Sequence, residues 1–525
     1  MADQVTVIGQ SAGQLAAGIR AGALSSVEVV AAHIDQIEAQ HERLHAMVLP
    51  LFEQAREAAK AADEARAAGA ELGPLHGVPI TIKAQFLVAG SETTMGLLHR
   101  QGGIDPADGP LIARLRRAGA IIVGKSNIMQ MLLGYESDNP LYGRSNNPWN
   151  TARTPGGSSG GEGALIATGM PLGMGGDFGG SIRIPAHFCG IHGLKPTARR
   201  LPNDDTPVMD FFEMGQQAII PQPGPMARTV DDLVLAMSIL AGPYDEPLLD
   251  RVPPVPWAGP EGIDVSSLRI GVFDDNGFFR PSPAVRRAVR EAAGHLADLG
   301  ASVVEFPAPD ARAALGLFLD IVTADGGRAT KRALGPDAAN HLLKPIQQGA
   351  AMPRPMRMLL SSVLSGLSQD TASLIVSHGG TCPSPRYLDL VSACDAYRLG
   401  LLGEMAGAGV DVLLCPPFGT AAPLHGTTTE LFGAASYAAL FNLTGFPAGV
   451  VAATRVRPGE ESDRAASRDK AERVALACEK DSAGLPVGVQ VAAAPWREDQ
   501  VLAVMAALEG KFRQGDDYPG LAAPA

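Results

Sequence analysis

The sequence predicts an α/β fold in which helices cover a buried sheet. Three observations carry this. Short, apolar, β-branched runs bounded by turns alternate with stretches of helical spacing. The strand-like runs read as buried, and each lies near a helical segment, which favours a sheet packed between helices. The 525 residues are 46% hydrophobic and 19% charged, enough to bury a large core and unlike a disordered chain.

Taken in order, residues 11–40 have helical spacing, with Ser25 or Ser26 as N-cap ahead of Glu28. Residues 52–69 predict a second helix that stops at Gly69. "HGVPITIKAQFLVAG" reads as a strand followed by a loop. "LIARLRRAGAIIVGKSN" reads as helix, Gly119, buried strand and loop. "SLRIGVFDD" and "GVDVLLCPP" predict further buried strands. The proline-rich stretch 242–262 suits a surface connection, and the highly charged stretch 457–484 suits an exposed loop plus helix.

The formal net charge of −12 argues against nucleic acid as a partner. Five dispersed cysteines, without metal spacing, fit free thiols in a reducing cytoplasm. The first residues lack a basic stretch followed by an apolar run, so no signal peptide is expected. No apolar run reaches the roughly 18 residues a membrane helix needs.

Three motif matches compete for the chemistry. Gly119 to Ser126 satisfies the GxxxxGK[ST] pattern of a nucleotide-binding loop, yet its spacer Ala-Ile-Ile-Val reads as a strand rather than an open turn. Gly156 to Gly160 fits GxSxG, but the polar, turn-rich residues before it do not make the strand a nucleophile elbow follows. His187, Cys189 and His192 crowd together, but their apolar setting and the lack of a fourth ligand favour packing over metal. A base other than histidine remains. Lys83 ends the apolar run "GVPITIK", where burial would lower its pKa and make the neutral amine a general base; a strand end reaching solvent is the plainer reading.

Residues 156–185 run "GGSSGGEGALIATGMPLGMGGDFGGSIRIP". Around them stand "HGVPITIK", "VGKSN", "NNPW", "HGLKPT", "GPMART" and "GLPVGVQVAAAPWREDQVL". On these motifs the chain resembles the amidase signature family, and within it is most similar to the fatty acid amide hydrolases. The resemblance implies a single domain over residues 1–525, with its core motifs in about 70–200. It implies an α/β/α fold whose large, mixed, twisted central sheet is covered by helices on both faces. It also implies cleavage of carboxamides through an acyl-enzyme, without metal or cofactor, by a cytoplasmic monomer or homodimer. The A component of a glutamine-dependent amidotransferase is the alternative, although such proteins usually carry small residues where Glu162-Gly163-Ala164-Leu165-Ile166 stands here.

Carried over residue by residue, the resemblance implies a triad of Lys83 as base, Ser158 as bridge on a cis peptide, and Ser181 as nucleophile. Backbone N–H groups of Phe178, Gly179, Gly180 and Ser181 would form the oxyanion hole, with Ser159, Asp177 and Arg183 as supports behind the reacting groups. Met131, Leu132, Leu133 and Gly134 would line an acyl pocket, and Phe211, Phe212 and Phe318 could extend its wall. Their apolar character points to alkyl or aryl amides, with esters and carbamates (urethanes) as further substrates. Two departures stand out: Ala84 follows the lysine where an acidic residue is common, and the segment between the two serines is one residue short near "TGMPLG".

Overall fold

A computed structural model describes residues 7–206, 216–244 and 252–522. The strands are β1 (Met47–Pro50), β2 (Pro79–Lys83), β3 (Ile121–Ser126), the short pair β4 (Asp138–Asn139) and β5 (Gly143–Arg144), β6 (Leu172–Asp177), β7 (His192–Lys195), β8 (Gln222–Ala227), β9 (Arg269–Val272), β10 (Ser302–Glu305), β11 (Val412–Cys415), β12 (Ala448–Arg455) and β13 (Pro486–Ala493). Eleven of them form one sheet in the order β1-β3-β2-β6-β8-β7-β12-β13-β11-β9-β10. β2 is parallel to β3 and β6, and β9 is parallel to β10 and β11; the other neighbours run antiparallel.

Both faces of the sheet are buried, as the runs of Val, Ile and Leu require. Val487, Val489, Val491 and Ala493 of β13 enter one core cluster, whereas Ala492, pointing the other way, enters another. Helices close both layers, so the expected mixed sheet with two helical covers is the observed architecture.

Local signals explain most element ends. Residues 11–40 hold two helices, Ala12–Arg20 and Ser26–Leu44, separated at Gly22 with φ +73°. Ser25 is the cap of the second, in a reciprocal box with Glu28. The helix Phe52–Ala67 stops just before Gly69, whose φ is +73°. Of stretch 242–262, residues 245–251 lie outside the described residues, and the rest is largely half-exposed.

The charged stretch differs from its expected exposure. Its helix Lys470–Glu479 buries Ala471, Ala475, Cys478 and Glu479. The Arg464 side chain is buried too, because Glu472 (2.6 Å) and Glu479 (2.9 Å) neutralise it there. Among the described residues, no helix is long and apolar enough to cross a membrane.

Candidate active site

The site forms where β2, β6 and the loop before the helix Gly160–Ala167 converge. Lys83 is fully buried at the end of β2. Its Nζ donates to Ser158 Oγ (2.8 Å) and to the Gly176 carbonyl (3.1 Å). Burial strips water from the ammonium and lowers its pKa to about 7, against the upward pull of Asp177 and Glu162. Near neutral pH the amine therefore exists partly unprotonated and can accept a proton.

Ser158 follows a cis Gly157–Ser158 peptide. Position 157 has to be glycine, since a Cβ there would stand 2.1 Å from the Glu136 carbonyl oxygen. Ser159 Oγ donates to the Gly176 carbonyl (3.3 Å) and accepts from the Gly176 N–H (3.4 Å). It thus pins the serine pair to β6.

Beyond β6 the chain turns sharply around Asp177. Its Oδ1 accepts from Gly180 N (2.7 Å) and its Oδ2 from Ile182 N (3.1 Å), with Ser181 held between them. Arg183 grips the same carboxylate with two hydrogen bonds of 3.0 Å, from Nε and Nη2. Its remaining donors reach Ala438 O (2.9 Å), Gln490 Oε1 (2.7 Å) and Asn442 Oδ1 (2.6 Å), and Asn442 Nδ2 donates back to Asp177 Oδ1 (2.9 Å). Burial pushes the Asp177 carboxyl up, but the Arg183 charge, its hydrogen bonds, Lys195 and Asn442 together hold it far below the usual carboxylate range. An ion pair taken out of water in this way holds only because its hydrogen bonds are made.

Gly180 has φ +119°, and a Cβ there would meet Ile184 Cδ1 at 2.7 Å and Ala438 Cβ at 2.8 Å. Its N–H is already engaged by Asp177. In this structure the Gly180 N–H thus shapes the turn that carries Phe178, Gly179 and Ser181, the segment expected from sequence to supply oxyanion donors.

Ser181 faces a cavity of about 470 Å³, large enough for a drug-sized ligand. Phe178, Gly179 and Gly134 join it at this end, and Tyr135 Oη steadies the turn by donating to the Gly179 carbonyl (3.1 Å). Leu132, Leu133, Phe318 and Phe432 form the apolar walls. Phe318 comes from the helix Ala311–Val322 and packs its ring 5.7 Å from that of Phe178. The helices Leu343–Ala351 and Ser384–Gly407 close the far end.

Other expectations meet different geometry. Met131 does not reach the cavity. It is buried among Met95, Leu97, Met129 and Leu343, with φ +55°, while Leu132 and Leu133 pack against the same cluster and also line the cavity. Phe211 and Phe212 lie outside the described residues.

The GxxxxGK[ST] match is no phosphate loop. Residues 121–126 are the buried strand β3, and Lys125 Nζ is spent on Asp105 (3.1 Å), Thr93 (2.8 Å) and the Glu92 carbonyl (2.8 Å). The GxSxG serine precedes a helix but follows a coil, not a strand. The His187, Cys189 and His192 side chains bind separate partners: Thr420 O and Gly488 N, Pro155 O, and Ala452 N with Glu509.

Sequence reasoning missed Asn442, Gln490 and Tyr135. All three act across the fold; Gln490 lies within "GLPVGVQVAAAPW" and Tyr135 just after the Met131–Gly134 run, but neither stretch says which distant group its side chain meets.

The family model for Amidase matches residues 28–502. Fatty acid amide hydrolase 1 of Caenorhabditis elegans is 32% identical over 523 residues, 94% of this chain and 87% of that protein. Indoleacetamide hydrolase of Bradyrhizobium diazoefficiens is 38% identical over 320 residues, 60% of this chain and 59% of that protein. The glutamyl-tRNA(Gln) amidotransferase A chain of Acidothermus cellulolyticus is 32% identical over 517 residues, 97% of this chain and 95% of that protein. A solved structure of fatty acid amide hydrolase superposes with a TM-score of 0.83 at 26% identity, covering 99% of this chain and 87% of the other.

Proposed function

The chain belongs to the amidase family as an amide hydrolase resembling the fatty acid amide hydrolases, and from that premise we propose a Ser-Ser-Lys acyl transfer on apolar amides. The observation that carries the reading is the 2.8 Å hydrogen bond between buried Lys83 and Ser158, set behind a serine that faces an apolar cavity.

In this mechanism the Ser158 hydroxyl donates its proton to neutral Lys83 and takes one from Ser181. The Ser181 oxygen bonds to the acyl carbon, and the carbonyl electrons move onto its oxygen, which backbone N–H groups of the Asp177 turn receive. As the carbonyl re-forms, the C–N bond breaks, and Lys83 returns the proton through Ser158 to the departing amine. Water then attacks the acyl-Ser181 ester by the same relay, releasing a carboxylic acid that ionises to its carboxylate. Alkyl and aryl amides, esters and carbamates all present a suitable carbonyl to the Leu132–Leu133 wall. The acidic composition and the free thiols of the five cysteines fit a cytoplasmic enzyme.

A panel of fatty amides, anilides, carbamates and esters, combined with mass-spectrometric location of an active-site serine label, tests this reading. The gel-filtered chain alone is expected to turn over amides, with the label on Ser181. An amidotransferase component, the reading favoured by the Acidothermus relative, would be silent alone and active only in a heteromeric complex with a glutamine donor. That outcome would replace the hydrolase reading.

Ser158→Ala separates the two halves of the relay. An amide nitrogen leaves only when protonated, whereas an activated ester leaves unaided. The expected loss is roughly 10³-fold in kcat/KM on anilides and about tenfold on p-nitrophenyl esters. Equal losses on both substrates would remove Ser158 from proton delivery.

A further inference from the structure

Resting on the Lys83 relay above, we propose that Glu162 is a positioning residue for Lys83, whose buried carboxylate supplies the counter-charge for the ammonium formed as Ser181 attacks.

The placement is specific. Thr81 and Lys83 are two residues apart on β2 and so share a face, roughly 6.6 Å apart along the strand. Ser126 of β3 is the register partner of Lys83. The helix Gly160–Ala167 packs over this part of the sheet and inserts Glu162, which is fully buried. Thr81 Oγ1 donates to Glu162 Oε1. Room for the carboxyl exists because position 173 on β6 is glycine: a Cβ there would stand 1.7 Å from Oε1. The other oxygen, Oε2, is buried, and the Ser126 hydroxyl stands close enough to favour its ionised form without meeting full hydrogen-bond geometry.

A fully buried carboxylate held by two neutral hydroxyls is still costly unless a cation answers its charge. The surrounding charges narrow the choice. Asp177, on β6, also favours the Lys83 ammonium, but it is held by Arg183 and Asn442. Arg183 and the buried Lys195 oppose each other across that carboxylate and serve it rather than Glu162. Lys125 of β3 is bound to Asp105. Lys83 is the cation that acts on Glu162, and Glu162 in turn acts on Lys83. Burial raises the Glu162 carboxyl and lowers the Lys83 ammonium, and in each case the charge of the other group opposes the shift.

The test is the pH profile of kcat/KM on a medium-chain acyl p-nitroanilide for wild type, Glu162→Gln and Thr81→Val, with Lys83→Ala as reference. A carboxylate favours the ammonium, so removing its charge while keeping its shape lowers the pKa of the lysine further. The acid limb should move to lower pH by about one unit in Glu162→Gln. The plateau should fall by up to about tenfold, because the same lost charge no longer stabilises the ammonium in the transition state. Thr81→Val, which removes the hydroxyl that favours the ionised carboxyl, should move the limb the same way by less. It carries the test if Glu162→Gln does not fold. An unmoved limb in the folded variants, with Lys83→Ala inactive, overturns this inference alone. Retained activity in Lys83→Ala overturns the relay on which it rests.

Discussion

Ser181→Ala is expected to abolish amide turnover, with a loss of at least about 10⁴-fold in kcat, roughly 5.5 kcal/mol of barrier, and no change in melting temperature. The hydroxyl has no structural duty in the turn: the N–H groups of Gly180 and Ile182, and the Arg183 side chain, hold Asp177 without it. Losing one oxygen from a wall of the cavity leaves the backbone unchanged. What disappears is the atom that bonds to the acyl carbon, and the oxyanion donors alone give only the residual rate. The check is single-turnover kinetics on an anilide together with a serine-directed fluorophosphonate label. A variant that still acylates, or turns over within tenfold of wild type, would move the nucleophile elsewhere.

Lys83→Met is the second variant with a large effect. Methionine nearly preserves the volume and removes the base, so amide hydrolysis should fall by at least about 10³-fold. Stability should change little, since the fold sheds a desolvated amine while the Gly176 carbonyl and the buried Glu162 lose a partner. In the wild type, kcat/KM on amides should climb as pH rises through about 7, because burial lowers the lysine to that value and the neutral form is the active one. A rate flat between pH 5 and pH 9, or a Lys83→Met enzyme with ordinary activity, would show that the lysine is not the base.

Much of this site can be read along the chain, and the reasons differ from residue to residue. Lys83 is only half legible: the run "GVPITIK" carries it toward the core, but a strand end reaching solvent is the plainer reading until the family likeness is added. The glycines at 157 and 180 announce a close approach and a turn, although which atoms approach is visible only in three dimensions. Choosing Ser181 over Ser158 as nucleophile rests on the family likeness, because spacing alone favours the GxSxG serine. The four-residue run from Met131 to Gly134 is uniformly apolar or small, so nothing local says that Met131 turns into the core while Leu132 and Leu133 face the cavity. Asn442 and Gln490 sit more than 250 residues from Arg183 and belong to no motif that points to it. The sheet order is equally hidden: β2 lies between β3 and β6, and β9 lies between β10 and β11, arrangements that non-local pairing decides.

The Asp177–Arg183 pair also bears on how this polypeptide can be cut. Residues 177–183 come from the motif-rich first part of the chain, whereas Ala438, Asn442 and Gln490, which complete their hydrogen bonds, come from the last hundred residues. A fragment ending after residue 200 would keep the recognisable signature and lose the clamp that shapes it. Reduction of the chain to its signature should therefore remove the partners that hold the turn carrying Ser181 in shape.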